Sequence, residues 1–449
     1  MKPTIAVVGA GAAGLAAAYA LGESKRFDVD LFEASARVGG VAGSLELGGA
    51  RFINDGVQAA APSYANVLAL HRRLGFEPAP ISMRISFGRG ETAWSNVEET
   101  PFSRKMAPEI ARFGQVLRRV YAAGPAATLV PIGLFLRAGG FSAAFVHHMA
   151  LPLVALFFGT GNQTHRVAAS IVARVFFDPE QRLFQYDDRR LLSESPTMLA
   201  FAKLGDVYTA LARASGARVL VGSRVVRVKR ASDHAVVQTA EGTERHYDYV
   251  VFACEAQAAL ASLEAPSRLD RLCLGGVRYF DDLTVTHEDE AYMRGHYTLD
   301  RARGDQYLVH VSERDPTEIE MSFDLTRYQP QLRDAAQGLF QTIFLDERRA
   351  SGWSLPSIRP ERILARRWWH QLAPTWQHFA RVVPLVRAIQ GRNRTFYAGA
   401  WTLMNTHEIA VTSGFAAAAR LGAPHPFAGD PAACASLRLY ESIAFGSPP

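Results

Sequence analysis

Three glycines near the beginning of the sequence have the spacing of a phosphate-binding turn. In the pattern Gly9-x-Gly11-x-x-Gly14, the first glycine permits a tight turn, the second lets the backbone approach a pyrophosphate, and the third allows a helix to pack closely on a strand. The backbone N–H groups at the start of that helix, at Ala12 and Ala13, would point at the phosphates together with the positive end of the helix dipole. The spacing therefore predicts a site for a dinucleotide.

Such a turn needs a strand before it and a helix after it. Residues 5–8 are an apolar run typical of a strand buried in a parallel sheet, and the Ala-rich residues 12–21 are typical of a helix. A second apolar strand, residues 28–32, ends at Glu33, about 20 residues after the last glycine, where an acid accepts hydrogen bonds from a ribose 2′-OH. Its charge would repel the 2′-phosphate of NADP. These elements together favour a dinucleotide site over the alternative, a turn before a helix that is rich in glycine but binds no nucleotide.

The residues that follow Glu33 distinguish NAD from FAD. Arg37 adds a charged contact to phosphate, and the pair Gly39 and Gly40 adds a second place where the backbone can approach a ligand closely. NAD-dependent dehydrogenases have no need of this extension. With it, the sequence resembles the GG-doublet flavoproteins, the superfamily of monoamine oxidases, phytoene desaturases and protoporphyrinogen oxidase. Their shared motif matches at Gly9, Gly11, Gly14, Glu33, Arg37, Gly39, Gly40 and Ser44.

Other short strings resemble one bacterial group within this superfamily, described as predicted flavin-containing amine oxidases. They are Tyr64-Ala65-Asn66, Trp94-Ser95, Gly399-Ala400-Trp401-Thr402 and His407-Glu408. Members of that group often occur beside methyltransferases similar to cyclopropane fatty acid synthases. The resemblance thus implies an acyl or lipid-like substrate by association, not from the residues themselves.

The resemblance also implies an α/β fold, in which a Rossmann-type, GR2-like FAD-binding domain is interleaved with an α+β substrate domain. The FAD-binding domain is expected at 1–80, 205–265 and 390–425, the substrate domain at 81–204 and 266–389, and a C-terminal tail at 426–449. Both ends of the chain would then contribute to one cofactor site.

Further FAD contacts follow from the same resemblance. The backbone near Val225 would meet the adenine, and N–H groups at the start of a helix capped by Asn405 or Thr406 would face the flavin N1 and C2 carbonyl. That helix end would stabilise the negative charge of a reduced flavin by about 0.3–2 kcal/mol. The complete set of expected cofactor contacts is Gly9, Gly11, Ala12, Ala13, Gly14, Glu33, Ala34, Arg37, Gly39, Gly40, Val41, Val225, Ala253, Gly399, Ala400, His407, Ile409 and Ala410.

Three side chains are candidates for catalysis. The superfamily places its substrate-facing wall before the last strand of the cofactor domain, where this chain has Trp369 and His370; the alternative is an aromatic strand packed in a core. His407, near the flavin pyrimidine, is a candidate proton acceptor, or else a residue that only begins a helix. Few side chains are needed to oxidise a C–H bond, because the cofactor carries that chemistry.

Two features of the sequence depart from the amine oxidases of the superfamily. Trp401 stands where those enzymes usually have the Glu that binds the ribityl chain. Thr406 and His407 stand where an aromatic residue of the amine-binding cage is expected. These differences argue against amine oxidation rather than against FAD binding.

We therefore expect an FAD-dependent oxidoreductase, whether desaturase, dehydrogenase or oxidase, that transfers a hydride from an apolar, lipid-like or acyl small molecule to flavin N5. An amine oxidase that produces an imine and peroxide is the alternative enzyme. A redox-neutral flavin-dependent isomerase and a non-catalytic FAD-binding protein are further alternatives. The substrate, the electron acceptor and the oligomeric state stay open.

The composition indicates which classes of partner and which cellular compartment to expect. The formal net charge of +6 comes from arginines scattered along the chain, which argues against nucleic acid binding. Three cysteines without CxxC spacing argue against structural zinc and for a reducing compartment. The sequence does not begin with a basic leader and an apolar core, so we expect a cytoplasmic protein.

Two apolar stretches, 120–136 and 141–158, are interrupted by Gly, Pro or His and are too short for a membrane-spanning helix. We expect buried helices there; the alternative is an apolar cavity or a face that touches a membrane surface. The His and acidic cluster at 287–290 has no second set of ligands, so we expect a solvated loop there and no metal site.

Overall fold

A computed structural model describes residues 1–48, 51–300, 302–333, 335 and 337–446. The strands are, in chain order, β1 Thr4–Val8, β2 Asp28–Phe32, β3 Ser44–Gly48, β4 Arg51–Asn54, β5 Ala59–Ala60, β6 Ala79–Ser82, β7 Ile85–Phe87, β8 Trp94–Ser95, β9 Thr197–Ala200, β10 Arg218–Leu220, β11 Val225–Arg230, β12 Ala235–Thr239, β13 Glu244–Tyr247, β14 Tyr249–Phe252, β15 Tyr279–His287, β16 Tyr307–Val311, β17 Ile319–Asp324, β18 Phe340–Phe344, β19 Ile363–Leu372 and β20 Thr395–Tyr397. The α-helices are α1 Ala12–Glu23, α2 Ala65–Arg73, α3 Pro101–Ala122, α4 Ile132–Ala138, α5 Ala143–Phe145, α6 Leu151–Phe158, α7 Ala169–Phe177, α8 Leu204–Ala214, α9 Ala256–Ser262, α10 Arg268–Leu274, α11 Glu290–His296, α12 Leu325–Tyr328, α13 Trp376–Arg381, α14 Val383–Ile389, α15 His407–Arg420 and α16 Pro431–Ala444.

The chain forms two compact units, each assembled from separate stretches of sequence. The first unit contains Met1–Pro78, Phe201–Arg278 and Ala380–Pro449. The second unit contains Ala79–Ala200 and Tyr279–Phe379.

The expected domain boundaries differ most from these units at 266–278, 380–389 and 426–449, in each case because a helix packs within the first unit. Helices α10 and α14, which the range 266–389 would leave in a substrate domain, pack against each other in the first unit. The range 426–449, expected to be a tail, contains α16, which packs against α2, α14 and α15. Leu437, Tyr440 and Ala444 of α16 are buried, so this helix belongs to the core of the first unit.

A five-stranded parallel sheet forms the centre of the first unit, in the order β10, β2, β1, β14, β20. Ile5, Ala6 and Val7 of β1 are completely buried, as expected of a central parallel strand. Helix α1 is buried along Ala13–Leu21, because α8 and α15 pack against it. The expected order of strand, glycine turn, helix and second strand is therefore confirmed.

A mainly antiparallel sheet of seven strands forms the second unit, in the order β19, β15, β18, β17, β16, β7, β8. Only the β16 and β7 pair is parallel among these strands as the structure describes them. Residues directly opposite each other on antiparallel neighbours share a face of the sheet, and successive residues of one strand lie on opposite faces. Helix α6 packs against β16 and β17.

The stretch 141–158 forms largely buried helices, as expected, whereas the stretch 120–136 is only partly buried, with Leu129 and Leu134 exposed. Ile132 and Leu136 of α4, Phe145 of α5, and Leu153 and Val154 of α6 have almost no exposed surface. Across the part of the chain that the structure describes, no helix has both the length and the apolar character required to cross a membrane.

The expectation of a solvated loop at 287–290 is wrong, because the turn after β15 is buried. His287 is completely buried, and its Nε2 lies 2.9 Å from Thr342 Oγ1. Asp289 caps α11 by accepting a hydrogen bond from the Tyr292 amide, and it pairs with Arg359 at 2.8 Å. The groups in this turn therefore hold structure together. Nowhere within the described residues do three or more His, Cys, Asp or Glu side chains form a metal-binding group.

A buried acid on β17 gives the second unit a pH-dependent stability. Burial raises the pKa of Glu320 to about 7, against the lowering effect of hydrogen bonds from the Ser354 amide and hydroxyl. The folded state therefore holds this proton more tightly than the unfolded state does. The stabilisation is complete below the ordinary Glu pKa and is lost as the pH rises through about 7.

We predict that Glu320→Gln removes this contribution, because a Gln side chain can still accept from the Ser354 amide and contact the hydroxyl, but does not titrate. Urea unfolding of the intact protein at several pH values between about 5 and 8 would show a smaller fall in the free energy of unfolding than the parent protein does. Glu361→Gln, at an exposed position, should leave the fall unchanged. An identical pH profile for Glu320→Gln and the parent would contradict the prediction.

Candidate functional site

The turn after β1 requires glycine at its first position. Gly9 has φ +106°, in the region that favours glycine, and its amide donates to the Phe32 carbonyl at 2.8 Å. A Cβ at Gly9 would lie 2.8 Å from the Ala253 carbonyl oxygen. Ala253 in turn donates its amide to Val8 at 2.8 Å. The turn is thus closely packed between the ends of β2 and β14.

Open space lies beside the second glycine of the turn. A Cβ at Gly14 would lie 1.8 Å from the Gly9 carbonyl oxygen, which excludes any larger residue there. A Cβ at Gly11 would meet no atom within 4 Å. The glycine pair comes close to this space, because Gly39 donates its amide to Ala10 at 2.8 Å and a Cβ at Gly40 would lie 3.3 Å from Gly11 Cα. These residues form a cradle whose open side fits a pyrophosphate.

The carboxylate of Glu33 is held beside this cradle by three hydrogen bonds. One oxygen accepts from the Ala10 amide at 2.9 Å, and the other accepts from the amide and hydroxyl of Ser35, both at 2.8 Å. A carboxylate has about four positions for accepting hydrogen bonds. One position therefore remains, where the sequence predicts a ribose hydroxyl.

Backbone hydrogen bonds bring the start of β11 towards the same acid. Glu33 donates its amide to Leu220 at 2.9 Å, and Ser223 donates its amide to Glu33 at 2.8 Å. Val225 begins β11 two residues later and is half-buried. Nearby, the side chains of Ala34, Arg37 and Val41 are exposed and so are accessible to a ligand.

The loop after β20 is anchored through a tryptophan. Gly399 has φ +131° and donates its amide to Ser413 Oγ at 2.8 Å; Ala400 follows it in a short 3₁₀ segment. Trp401 is buried, and its Nε1 donates to the Cys254 carbonyl at 3.1 Å. The residue at the position where amine oxidases of the superfamily usually have Glu therefore fastens this loop to the end of β14.

Thr406, one of the two caps that the sequence left open, caps helix α15, and this changes which amides are available. Thr406 Oγ1 accepts from the Ile409 amide at 3.2 Å, and the Thr406 carbonyl accepts from the Ala410 amide at 3.1 Å. The amides of Ile409 and Ala410, expected to contact the cofactor, are thus used within the helix. The first-turn amides without an acceptor inside the helix are those of His407 and Glu408.

His407 lies in an environment that does not suit a proton acceptor. Its Nε2 is hydrogen-bonded to the Tyr208 hydroxyl, and its ring lies 5.4 Å from Phe201 and 6.2 Å from His71 between ring centres. Burial lowers the pKa of His407 to about 3. The imidazole is therefore neutral and weakly basic near pH 7. Burial in the core of the first unit, which the sequence does not reveal, explains the difference from the expected role.

Glu408 has a structural role that sequence reasoning missed. Its carboxylate is buried and accepts hydrogen bonds from the amides of Asn66, at 3.0 Å, and Val67, at 2.9 Å, at the start of α2. Ser436 of α16 donates to the same carboxylate at 2.9 Å. An acid at the positive end of one helix here also satisfies the amides of another. No local signal could reveal this contact, because its partners are far away in the sequence.

Trp369 and His370 cannot both face one ligand, because they are successive residues of β19. His370 lies opposite Asp281, with its Nδ1 2.7 Å from that carboxylate, and its ring stacks on Tyr279 at 4.7 Å. Trp369 lies opposite Asp282 on the other face, is buried, and its Nε1–H has no acceptor among the described residues. The expectation that both side chains face the flavin is corrected by the alternation of the strand.

We predict that Gly11→Val folds but does not retain flavin. The backbone at Gly11 is extended, with φ −78°, and a side chain there has open space in the protein, so it would occupy only the place of the phosphates. The flavin-to-protein absorbance ratio of the purified protein should fall nearly to zero, with circular dichroism unchanged.

Gly429→Val is the matched control, because this exposed glycine also has no atom within 4 Å of an added Cβ. It should retain the full flavin content. A Gly11→Val protein with as much flavin as the parent would contradict the assignment of the cradle.

Comparison with known proteins agrees with this arrangement. The family model described as flavin containing amine oxidoreductase matches residues 12–277, more than half of the chain. No curated protein matches the sequence significantly.

Solved structures of similar fold include three with different activities in their names. A fatty acid isomerase from P. acnes is 17% identical, with a TM-score of 0.64 over 92% of this chain and 97% of that one. A putrescine oxidase bound to putrescine is 15% identical, with a TM-score of 0.65 over 94% and 100%. A putative protoporphyrinogen oxidase from Exiguobacterium sp. 255-15 is 13% identical, with a TM-score of 0.69 over 94% and 99%. At these identities the likeness concerns the fold alone.

The cradle at Gly11, the anchored carboxylate of Glu33 and the exposed Arg37 fit the pyrophosphate and ribose of FAD. Together with the match to the family, they make FAD the cofactor. The chain belongs to the family of flavin-containing amine oxidoreductases and is an FAD-dependent oxidoreductase.

Proposed function

We propose that the protein oxidises a C–H bond of an apolar, lipid-like or acyl small molecule. When bound, FAD supplies the hydride acceptor at its N5 atom. The chain's own part is to hold the cofactor through the glycine cradle and Glu33, and to direct the positive end of α15 towards negative charge on the flavin. We assign the remaining expected cofactor contacts to the same role, with His407 and Glu408 as the amide donors in place of Ile409 and Ala410.

The observation on which this proposal rests is that the titratable side chains in the first turn of α15 are bound by other parts of the protein. His407 is neutral and bonded to Tyr208, and the carboxylate of Glu408 is bound by amides of α2. Neither therefore pairs with an ammonium group, and His407, whose buried Nδ1 has no partner among the described residues, is too weak a base to take a proton from a substrate near pH 7. Oxidation of an apolar carbon needs neither of these functions, whereas recognition of an amine needs a carboxylate or an aromatic cage.

In the second unit we assign the substrate wall to the face of the sheet that carries Trp369. The strand registers put Trp369 on the same face as Tyr307 and Phe323, whose rings stack at 4.2 Å. These three rings give the face an apolar part suited to an apolar chain, beside the buried polar side chains of Asp282, Thr284 and Gln341. The buried Nε1–H of Trp369 has no acceptor among the described residues. It suits the oxygen of an acyl group, because a hydrogen bond to that oxygen would offset the cost of leaving the N–H unpaired. His370 lies on the other face and is not assigned a catalytic role.

An anaerobic absorbance screen tests the proposed substrate class. We expect a long-chain fatty acid or acyl thioester to reduce the flavin of the purified holoenzyme, and putrescine and cyclohexylamine to leave it oxidised. Reduction by amines with no response to any acyl compound would overturn the proposal in favour of an amine oxidase. A product of unchanged mass without an electron acceptor would indicate an isomerase, and failure of every compound and acceptor a non-catalytic flavoprotein.

The role of Trp369 is tested by removing its N–H while keeping an aromatic ring. We expect Trp369→Phe to slow flavin reduction by the acyl substrate about tenfold, the loss of one buried hydrogen bond to substrate. Trp368→Phe is the matched control, because Trp368 is the neighbouring residue on the opposite face and is 50% exposed. Equal rates for both variants would remove Trp369 from the substrate wall.

A further inference from the structure

Two exposed leucines stand close together on the second unit. Leu129 is 54% exposed and Leu134 is 48% exposed, on either side of Pro131. Exposed single apolar residues are ordinary on protein surfaces, but two within one short segment form the beginning of an apolar patch.

The segment that carries them is fixed in place. The Ile132 amide donates to the Val167 carbonyl at 2.8 Å, and the Ala169 amide donates to the Val130 carbonyl at 2.9 Å. In α4, a Cβ at Gly133 would lie 2.8 Å from the His165 carbonyl oxygen, so this side of the helix must face inward. Leu134 is therefore held at the surface. A rotation of α4 that buried it would disturb the close packing of Gly133.

Cations are exposed on α3 and α4, the helices before and after Leu129 in the sequence. Helix α3 exposes five cations, and α4 adds one; they are Arg104, Lys105, Arg112, Arg118, Arg119 and Arg137. Glu109 is the single acid between residues 101 and 145, and it accepts hydrogen bonds from the amide and hydroxyl of Ser142. Helix α7 packs against α3, α4 and the 3₁₀ segment that ends at Leu129. The elements that carry the cations and the leucines are therefore joined through α7.

Some of these charges are already neutralised by neighbours, and others are not. Arg104 pairs with Glu99 at 2.8 Å, and Arg118 pairs with Asp188 at 3.1 Å. Lys105, Arg119 and Arg137 form no ion pair with any acid in the described ranges. Arg137 follows Leu134 by one turn of α4, and unpaired cations together with exposed leucines are the combination that binds a surface with negative head groups above an apolar layer.

We propose that the surface formed by Leu129, Leu134, Arg119 and Arg137, here called the leucine-arginine surface, docks the protein on an anionic lipid bilayer. The leucines enter the boundary between head groups and acyl chains, while the arginines contact lipid phosphate. This inference rests on the proposed function for its purpose, because docking would bring the enzyme to the phase that holds a lipid-like substrate. The docking itself requires no catalysis.

Sedimentation with vesicles tests the docking directly. The full-length, FAD-loaded protein should bind vesicles of phosphatidylcholine with phosphatidylserine, bind vesicles of phosphatidylcholine alone much more weakly, and dissociate as salt is raised. The double variant Leu129→Ser/Leu134→Ser should lower the partition coefficient at least about tenfold. Arg119→Gln/Arg137→Gln should lower it by about fivefold for each charge removed.

The matched control is Leu272→Ser/Leu439→Ser, because these leucines are 52% and 41% exposed but lie in the first unit. It should bind vesicles like the parent. Flavin content and thermal unfolding of each variant report whether it folds, and the exposed positions predict no change in either.

Three results would overturn the inference: no binding to anionic vesicles, equal binding by the leucine variant and the parent, or a change of oligomeric state in the leucine variant without a change in vesicle binding. The last would assign the surface to a second copy of the chain. The two proposals fail separately, because vesicle sedimentation needs no turnover and the flavin-reduction screen uses substrates without vesicles. If acyl compounds reduce the flavin but the protein does not bind vesicles, the proposed function stands and the proposed docking surface is wrong.

Discussion

Helix α1 meets neighbouring backbone at three points where only glycine fits. A Cβ at Gly14 would lie 1.8 Å from the Gly9 carbonyl, one at Gly22 would lie 1.7 Å from the Ser215 carbonyl, and one at Gly414 would lie 2.1 Å from the Ala13 carbonyl. The first contact closes the phosphate turn, the second joins α1 to the end of α8, and the third allows α15 to lie against α1. Since α15 comes from the other end of the sequence, these contacts bring the turn and the capped helix into one unit.

Buried charges join the remaining parts of the first unit. Asp30 on β2 accepts hydrogen bonds from Arg218 and, at 2.5 Å, from the Tyr247 hydroxyl, and thus connects three separate strands. Arg230 and Asp270 are both nearly inaccessible and pair at 2.7 Å. Removing one partner of such a pair leaves an uncompensated charge, so each pair restricts how these segments can be arranged. The buried carboxylate of Glu408 on α15 likewise fixes the start of α2, through hydrogen bonds from the amides of Asn66 and Val67.

The use of these groups for structure has a consequence for the chemistry. Where His407 and Glu408 are both committed to neighbouring elements, the first turn of α15 offers backbone amides and a helix dipole rather than side-chain acids or bases. Such an environment favours negative charge on a cofactor and offers no charged side chain to bind a cationic substrate. The aromatic face of the second unit and the leucine-arginine surface are consistent with the same apolar chemistry.

Features that depend on local spacing could be predicted from the amino-acid sequence. The strand, glycine turn, helix and terminal acid of the first 33 residues could be predicted because each is set by residues only a few positions apart, and the same holds for the Thr406 cap. Tertiary structure decided the rest. The neutrality of His407 depends on burial against Tyr208 and Phe201, and the position of α16 in the core depends on distant helices. Likewise, the register of β19 against β15 decides that Trp369 lies opposite Asp282 and His370 opposite Asp281. Burial and register are properties of contacts between residues that are remote in the sequence, which is why no local pattern revealed them.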